Sequence, residues 1–249
     1  MFRILYNMNP GGLQSSLHPP ACSHNTAGEI IMALKIFDID GTILRGDSND
    51  QFFKCLIDHK IITPDYMDFN REAGARFYSG TLDILEYYRY VIKPIAGKTE
   101  AELKDLLDDY RENYLKPHVY PKAQELISRF RNEGHVIILA SATMDLLVKQ
   151  TAELIGADFF ISTRVKYDEE GRIRDVYPDF CHQEGKRARL KALCQEKGLN
   201  LKDSSGYGDT INDIPLLETV DHAFVANPGV HSEKLLHIAA ERNWQTIRF

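Results

Sequence analysis

The apolar positions change period several times along the chain, and each change predicts an element. Leu34-Lys35-Ile36-Phe37 is a short, mostly apolar run, consistent with a buried strand. Asp38-Ile39-Asp40-Gly41-Thr42 follows at once and falls at that strand's carboxyl end. From about Ser48 to Pro117 the spacing becomes helical: Phe52/Phe53/Leu56/Ile57, Leu82/Leu85/Tyr88 and Leu103/Leu106/Leu107/Tyr110 each mark one helix face. No convincing strand-like run interrupts them.

After Pro121 strands return. A helix over Ala123–Asn132, stopped by Gly134, precedes the apolar strand His135–Ala140. A helix over Met144–Ile155 precedes a strand over Phe159–Ser162. Val165–Val176 carries Glu170-Gly171 between short segments and reads as a hairpin. A basic helix, Lys186–Lys197, leads to Ser204–Gly208, a short helix, the strand Ala223–Ala226 and a final helix near Ser232–Glu241. Strands alternating with helices predict an α/β fold, a Rossmann-like three-layer core with a parallel sheet covered on both faces. The helical block after the first strand reads as an inserted all-helical cap. The expected division is a core from 32–47 and 119–249 with a cap from 48–118.

Residues 1–31 stand apart. They contain two charges, Arg3 and Glu29, and a stretch of turn formers without a period, Asn9 to Pro20. They lack the continuous apolar run of a secretory signal. The expectation is a disordered or non-native extension. Gly28-Glu29 can be encoded GGA-GAG, which resembles a bacterial ribosome-binding site, and only the codons of Ile30 and Ile31 separate it from Met32. For a bacterial source, Met32 is then the expected start.

Composition narrows the function. The chain has 249 residues, 43% hydrophobic and 27% charged, which is ample for a core and excludes global disorder. No stretch approaches the apolar length of a membrane span. A net charge of −6 without a long basic run argues against nucleic acid. Four cysteines, Cys22, Cys55, Cys181 and Cys194, show no CxxC spacing and fit a reducing cytoplasm. The nine histidines show no paired zinc-ligand spacing. Gly97-Lys98-Thr99 resembles a Walker A ending, but Ile92 stands where the upstream glycine is required, so a loop entering a helix is expected.

Four segments carry chemistry: Asp38 to Thr42, Ser141, Lys186, and Gly208-Asp209-Thr210-Ile211-Asn212-Asp213. The two acidic segments and Ser141 each follow a predicted strand, where open α/β sheets bind ligands. A carboxylate can attack phosphorus as a nucleophile. Clustered carboxylates call for a divalent cation, and oxygen donors suit Mg²⁺. A lysine and a hydroxyl can hold the transferring phosphoryl oxygens.

These segments resemble the four motifs of the haloacid dehalogenase superfamily: Asp38-x-Asp40-x-Thr42, Ser141, Lys186 and Asp209-x-x-x-Asp213. Their order and the helical insert resemble the phosphoserine-phosphatase-like branch, from about Leu34 to Trp244. The resemblance implies Asp38 as nucleophile and Asp40 as the acid and then the base. It implies Mg²⁺ on Asp38, the Asp40 carbonyl and Asp209. Ser141, Lys186 and Asn212 would hold phosphate, and Asp213 would orient Lys186 or a metal-bound water. Superfamily dehalogenases lack the aspartate at the position of Asp40, so phosphoryl chemistry is expected.

Two further positions bear on the substrate. Asp47 resembles the ammonium binder of phosphoserine phosphatases, and Arg89, in Gly80-Thr81-Leu82 to Arg89, the binder of the substrate carboxylate. Ser141-Ala142-Thr143-Met144 departs from the Ser-Gly-Gly-Phe run usual there and looks more like a neighbouring bacterial branch with histidinol-phosphate phosphatases. Histidinol phosphate has an ammonium but no carboxylate, so Arg89 would lack a partner. The expectation is therefore a cytoplasmic Mg²⁺-dependent phosphatase acting on a small-molecule phosphate ester, phosphoserine first. Histidinol phosphate, or phosphotransfer to another alcohol, is the alternative. A phosphorylated receiver domain is the competing class, disfavoured by the cap and by Asp40.

Overall fold

The computed structural model describes residues 32–79, 81–229 and 232–249. Expectations placed on residues 1–31 and on Gly80 lie outside them.

β1 (Leu34–Phe37) forms where the sequence predicts it and is buried along its whole length. Its alternation serves two layers. Leu34 and Ile36 pack with Leu190 and Cys194 of α7 (Glu184–Lys197), while Phe37 belongs to the larger cluster on the other face. On that face Phe37 stacks on Tyr207 at 4.3 Å and Tyr207 on Phe224 at 4.8 Å, an aromatic ladder across three strands.

The strands β2 (Val136–Met144), β3 (Phe159–Thr163), β6 (Ser205–Gly208), β7 (His222–Ala226) and β8 (Gln245–Ile247) complete a six-stranded sheet in the order β3-β2-β1-β6-β7-β8. Every pair is parallel. β1 lies between β2 and β6, so the chain leaves it in both directions and the crevice opens beyond its carboxyl end. The predicted α/β fold with a parallel sheet is the observed one. β8 is an addition: it is short and mostly exposed, with little apolar signal.

Between β1 and β2 come α1 (Ser48–Asp58), α2 (Tyr66–Ser79), α3 (Ile84–Ile92), α4 (Lys104–Asp109) and then α5 (Pro121–Asn132). The chain enters and leaves the helical block side by side, with Leu44 bridged to Val119 and the Tyr120 N–H donating to the Ile43 carbonyl at 3.0 Å. Inside the block Phe52 meets Tyr110 edge-on at 5.3 Å and Tyr66 stacks on Tyr90 at 4.1 Å. Thr99 and Glu102 exchange backbone and side-chain bonds in the turn before α4, so Gly97-Lys98-Thr99 is the loop expected.

The hairpin of β4 (Val165–Tyr167) and β5 (Ile173–Val176) is antiparallel as predicted. It packs against the inserted helices: the Gly97 N–H donates to the Ile173 carbonyl at 2.8 Å, and Arg89 of α3 forks onto Asp175. The helical block is thus held from the core by its own two connections and by this hairpin. α6 (Asp145–Ile155), the short α8 (Ile214–Leu217) and α9 (Glu233–Glu241) complete the covering layers. Among the described residues no helix is long and apolar enough to cross a membrane.

Candidate active site

Asp38 is the first residue past β1, and its N–H donates to the Tyr207 carbonyl at 2.9 Å, extending the sheet into the site. The chain then turns sharply: the Gly41 N–H donates to the carbonyls of Leu44 (2.9 Å) and Gly46 (3.1 Å). Gly41 has φ +78°, and a Cβ there would lie 2.1 Å from Asp209 Oδ2. Only glycine lets this turn and the β6 loop come together. Asn227 pins the turn from below, donating to the Gly41 and Thr42 carbonyls at 2.9 and 2.8 Å.

Lys186 enters from the first turn of α7. Gly185 before it is demanded by packing, because a Cβ there would sit 1.9 Å from the Phe180 carbonyl oxygen. Lys186 Nζ donates to Asp38 Oδ1 at 2.5 Å and to Asp213 Oδ1 at 2.6 Å, and all three side chains are buried. The other Asp213 oxygen accepts from the Asp209 and Thr210 N–H groups at 3.1 and 3.3 Å. Asp213 therefore ties the lysine to the β6 loop.

Asp40 lines the same cavity but has its own hydrogen-bond partners. Its Oδ1 accepts from the Ser48 N–H at 2.6 Å, and its Oδ2 accepts from the hydroxyls of Ser48 (3.1 Å) and Thr143 (3.2 Å). The Tyr110 hydroxyl donates to the Ser48 carbonyl at 2.9 Å and steadies the start of α1. Ser141 is buried in the last part of β2, where the register slips, and its Oγ accepts from the Thr143 N–H at 3.1 Å.

Electrostatics follow from burying so many acids together. Burial, reinforced by Asp47 and then Asp38, holds the Asp40 carboxyl well above the usual range. Burial pushes Asp209 up to about 9, with Asp38 and Asp213 adding to it. Asp38 is pushed up to about 6 by burial, with Lys186 opposing and Asp213 assisting. Burial alone would lower Lys186, but Asp213 and Asp38 outweigh it and hold the ammonium charged. Carboxyl oxygens of Asp38, Asp209 and Asp213 lie within 4.8 Å of one another, a set that could hold a metal ion.

A cavity of about 510 Å³ joins this cluster to the inserted helices. Asp38, Asp40, Asp47, Ser141, Lys186, Asp209, Asn212 and Asp213 all line it, so eight of the nine positions singled out from sequence converge. Asn212 Oδ1 accepts from Gln183 Nε2 at 3.3 Å, and its Nδ2 donates to Thr210 Oγ1 at 3.4 Å. Asp47 is the N-cap of α1, its Oδ1 accepting from the Asn49 and Asp50 N–H groups at 2.7 and 3.2 Å, and it faces the cavity as well.

Arg89 does not join them. Its Nε and Nη2 donate to the two Asp175 oxygens at 3.1 and 3.0 Å, on the hairpin side of α3 and away from the cavity lining. The structure does not bring Arg89 to the cavity: the Asp175 carboxylate of β5 takes two of its five N–H donors. The arginine that lines the cavity is Arg71 of α2, exposed and paired with Asp68 at 3.1 Å.

Sequence reasoning missed three further groups. Thr143 binds Asp40; its place two residues after Ser141 was the available signal. His182 lines the cavity, its imidazole held below the usual range by burial and then by Lys186. Tyr87 lines the cavity and donates to Asn70 Oδ1 at 2.9 Å.

The haloacid dehalogenase-like hydrolase family model matches residues 36–218, and the chain belongs to that family. A Neisseria meningitidis protein named histidinol-phosphatase is 27% identical over 223 residues, covering 87% of this chain and 98% of its own. A Mycobacterium tuberculosis protein named phosphoserine phosphatase is 26% identical over 224 residues, covering 88% and 71%. A crystal structure of a Bordetella pertussis protein of unknown function superposes with a TM-score of 0.76 at 26% identity, covering 87% of this chain and 98% of that one. The expectation of a phosphatase of this family is met at the level of the family.

Proposed function

We propose that the protein is a Mg²⁺-dependent phosphomonoesterase that hydrolyses a small amine-bearing phosphate ester through an aspartyl-phosphate on Asp38. The observation that carries this reading is the separation of two acid environments. Lys186 bonds Asp38 and Asp213, with Asp209 beside these two, while the Asp40 carboxylate is bonded by Ser48 and Thr143.

The roles follow from that separation. Asp38 attacks phosphorus and the ester P–O bond breaks. Asp40, kept protonated by its surroundings, gives its proton to the leaving alkoxide. It then takes a proton from the water that attacks the aspartyl-phosphate, releasing phosphate and restoring Asp38. Lys186 and the Ser141 hydroxyl hold the phosphoryl oxygens, with Asn212 at the same rim. The all-oxygen set of Asp38, Asp209 and the Asp40 carbonyl, with Asp213 beside it, suits a hard cation. Bound Mg²⁺ would neutralise these carboxylates and shield the nucleophile from the phosphate's charge. Residues 48–118 serve as the cap over a core of 32–47 and 119–249.

Asp47 and Asp50 line the part of the cavity formed by the inserted helices, which favours a substrate ammonium there. With Arg89 committed to Asp175, a substrate without a carboxylate fits better, so histidinol phosphate is preferred to phosphoserine. The Neisseria relative's name is consistent with this choice. Phosphoserine remains the second reading because Arg71 lines the same cavity and could receive a carboxylate. Steady-state kinetics with Mg²⁺ on both substrates test the choice. A kcat/KM at least about tenfold higher for histidinol phosphate is expected from one extra well-made or lost polar contact. A preference for phosphoserine, abolished by Arg71→Ala, would replace it with the second reading. Asp38→Asn is expected to lower phosphate release by more than about a thousandfold, and full activity in that variant would refute the mechanism. Product analysis with added acceptor alcohols separates hydrolysis from phosphotransfer.

A further inference from the structure

A second set of dissimilar donors lies outside the catalytic cavity. Cys55 lies in the last turn of α1 and His59, four residues on, is the residue that caps its C-terminus. Asp109 closes α4 opposite them. Cys55 Sγ, a His59 ring nitrogen and an Asp109 carboxylate oxygen all lie within 4.8 Å of one another, and none of the three residues lines the cavity. His59 Nε2 is 2.8 Å and Cys55 Sγ 3.9 Å from the same oxygen, Asp109 Oδ2. Asn113 Nδ2 donates to the other oxygen at 2.5 Å and turns Oδ2 toward the cysteine and histidine.

The donors suit a borderline-soft cation better than a hard one. Mg²⁺ prefers oxygen, whereas a thiolate, an imidazole and a carboxylate together suit zinc. Metal–ligand lengths of about 2.3 Å to sulfur and about 2.1 Å to nitrogen and oxygen, at tetrahedral angles, put S···O near about 3.6 Å and N···O near about 3.4 Å. The present separations of 3.9 and 2.8 Å differ from these by about 0.3 and about 0.6 Å, within reach of side-chain rotation. The Asn113 bond to Asp109 supplies the outer support that oriented ligands need. The His59 and Asp109 side chains are 40% and 30% exposed, so a water can take the fourth position.

We propose that Cys55, His59 and Asp109 form a site for a thiophilic divalent cation, Zn²⁺ in the first place, separate from the carboxylate cluster. On binding, the Cys55 thiol gives its proton to solvent and the thiolate sulfur coordinates; nothing is oxidised or reduced. The cation clamps the end of α1 to the end of α4. The proposal does not depend on the phosphatase reading.

Cobalt substitution tests it. The full-length protein, held in excess Mg²⁺ so that the carboxylate cluster is occupied, is titrated with Co²⁺ and followed by absorption. One equivalent should raise a thiolate-to-Co²⁺ charge-transfer band that Zn²⁺ then removes. The band should be lost in both His59→Ala and Cys55→Ser. Absence of the band in the wild-type protein, or its persistence in either variant, overturns the site. If Cys55→Ser fails to fold by circular dichroism, His59→Ala decides alone, because His59 is solvent-exposed and its variant should keep full phosphatase activity.

Discussion

Replacing Lys186 by methionine removes a charge while keeping most of the side chain's volume. Nζ sits 2.5 Å from Asp38 and 2.6 Å from Asp213, and none of the three side chains is more than 8% exposed. Removing one member of such a buried cluster costs about 3–5 kcal/mol, because the remaining charges are left uncompensated. A change of 1 kcal/mol moves the melting midpoint by about 2–4 °C in a chain of this size, so the expected loss is about 6–20 °C. The sign with pH is fixed by the acids. Asp38 and Asp209 titrate near about 6 and about 9 in the folded protein, above their unfolded values. Between the unfolded and folded values the native state holds more protons, so metal-free stability falls as pH rises through this window. The penalty of Lys186→Met is accordingly largest at about pH 8 and smaller at about pH 5, where Asp38 carries its proton. Urea unfolding in EDTA at the two pH values, followed by circular dichroism, measures both effects. Added Mg²⁺ should recover stability but not phosphate release. A methionine variant as stable as the wild type at the higher pH, or one whose deficit grows on acidification, would refute this account of the cluster.

Thr143→Val removes one of the hydroxyls on Asp40 and should lower kcat by about ten- to a hundredfold with KM unchanged, as the proton-transfer role proposed for Asp40 requires. Steady-state kinetics show which parameter moves. Gly41→Ala drives a Cβ to within 2.1 Å of Asp209 Oδ2 at a φ of +78°, so phosphatase activity should vanish at every Mg²⁺ concentration in a titration. Arg89→Ala should change KM for the preferred substrate by less than about twofold, because its partner is Asp175 and not the cavity. A large KM effect would restore Arg89 to substrate binding.

Local pattern carried much of this molecule. The Leu34–Phe37 strand, the Val165–Val176 hairpin and the helix ending at Ile155 are set by neighbouring residues, and they formed where periodicity put them. The aspartates were legible because their spacing is fixed within one turn. What failed to read is what distant residues decide. Thr143 meets Asp40 across 103 positions, and Asp175 captures Arg89 across 86, and no local spacing records either meeting. β2 runs on to Met144 rather than ending at Ala140, because Ser141 to Thr143 stay extended beside β3 despite their polarity. β8 is three residues at a sheet edge, too short and too polar to announce itself.

Ser48 gives the inserted helices a hold on the chemistry. It is the first residue of α1, yet its N–H and its hydroxyl both end on the Asp40 carboxylate. For anyone recombining modules in this family, the seam is therefore off by one residue from where the helix boundary suggests. A chimera joined between positions 47 and 48 brings in a foreign partner for Asp40 along with the new helices. A graft beginning at Asn49 exchanges the helical block and leaves both Ser48 bonds, and Asp47 as the cap, in native hands.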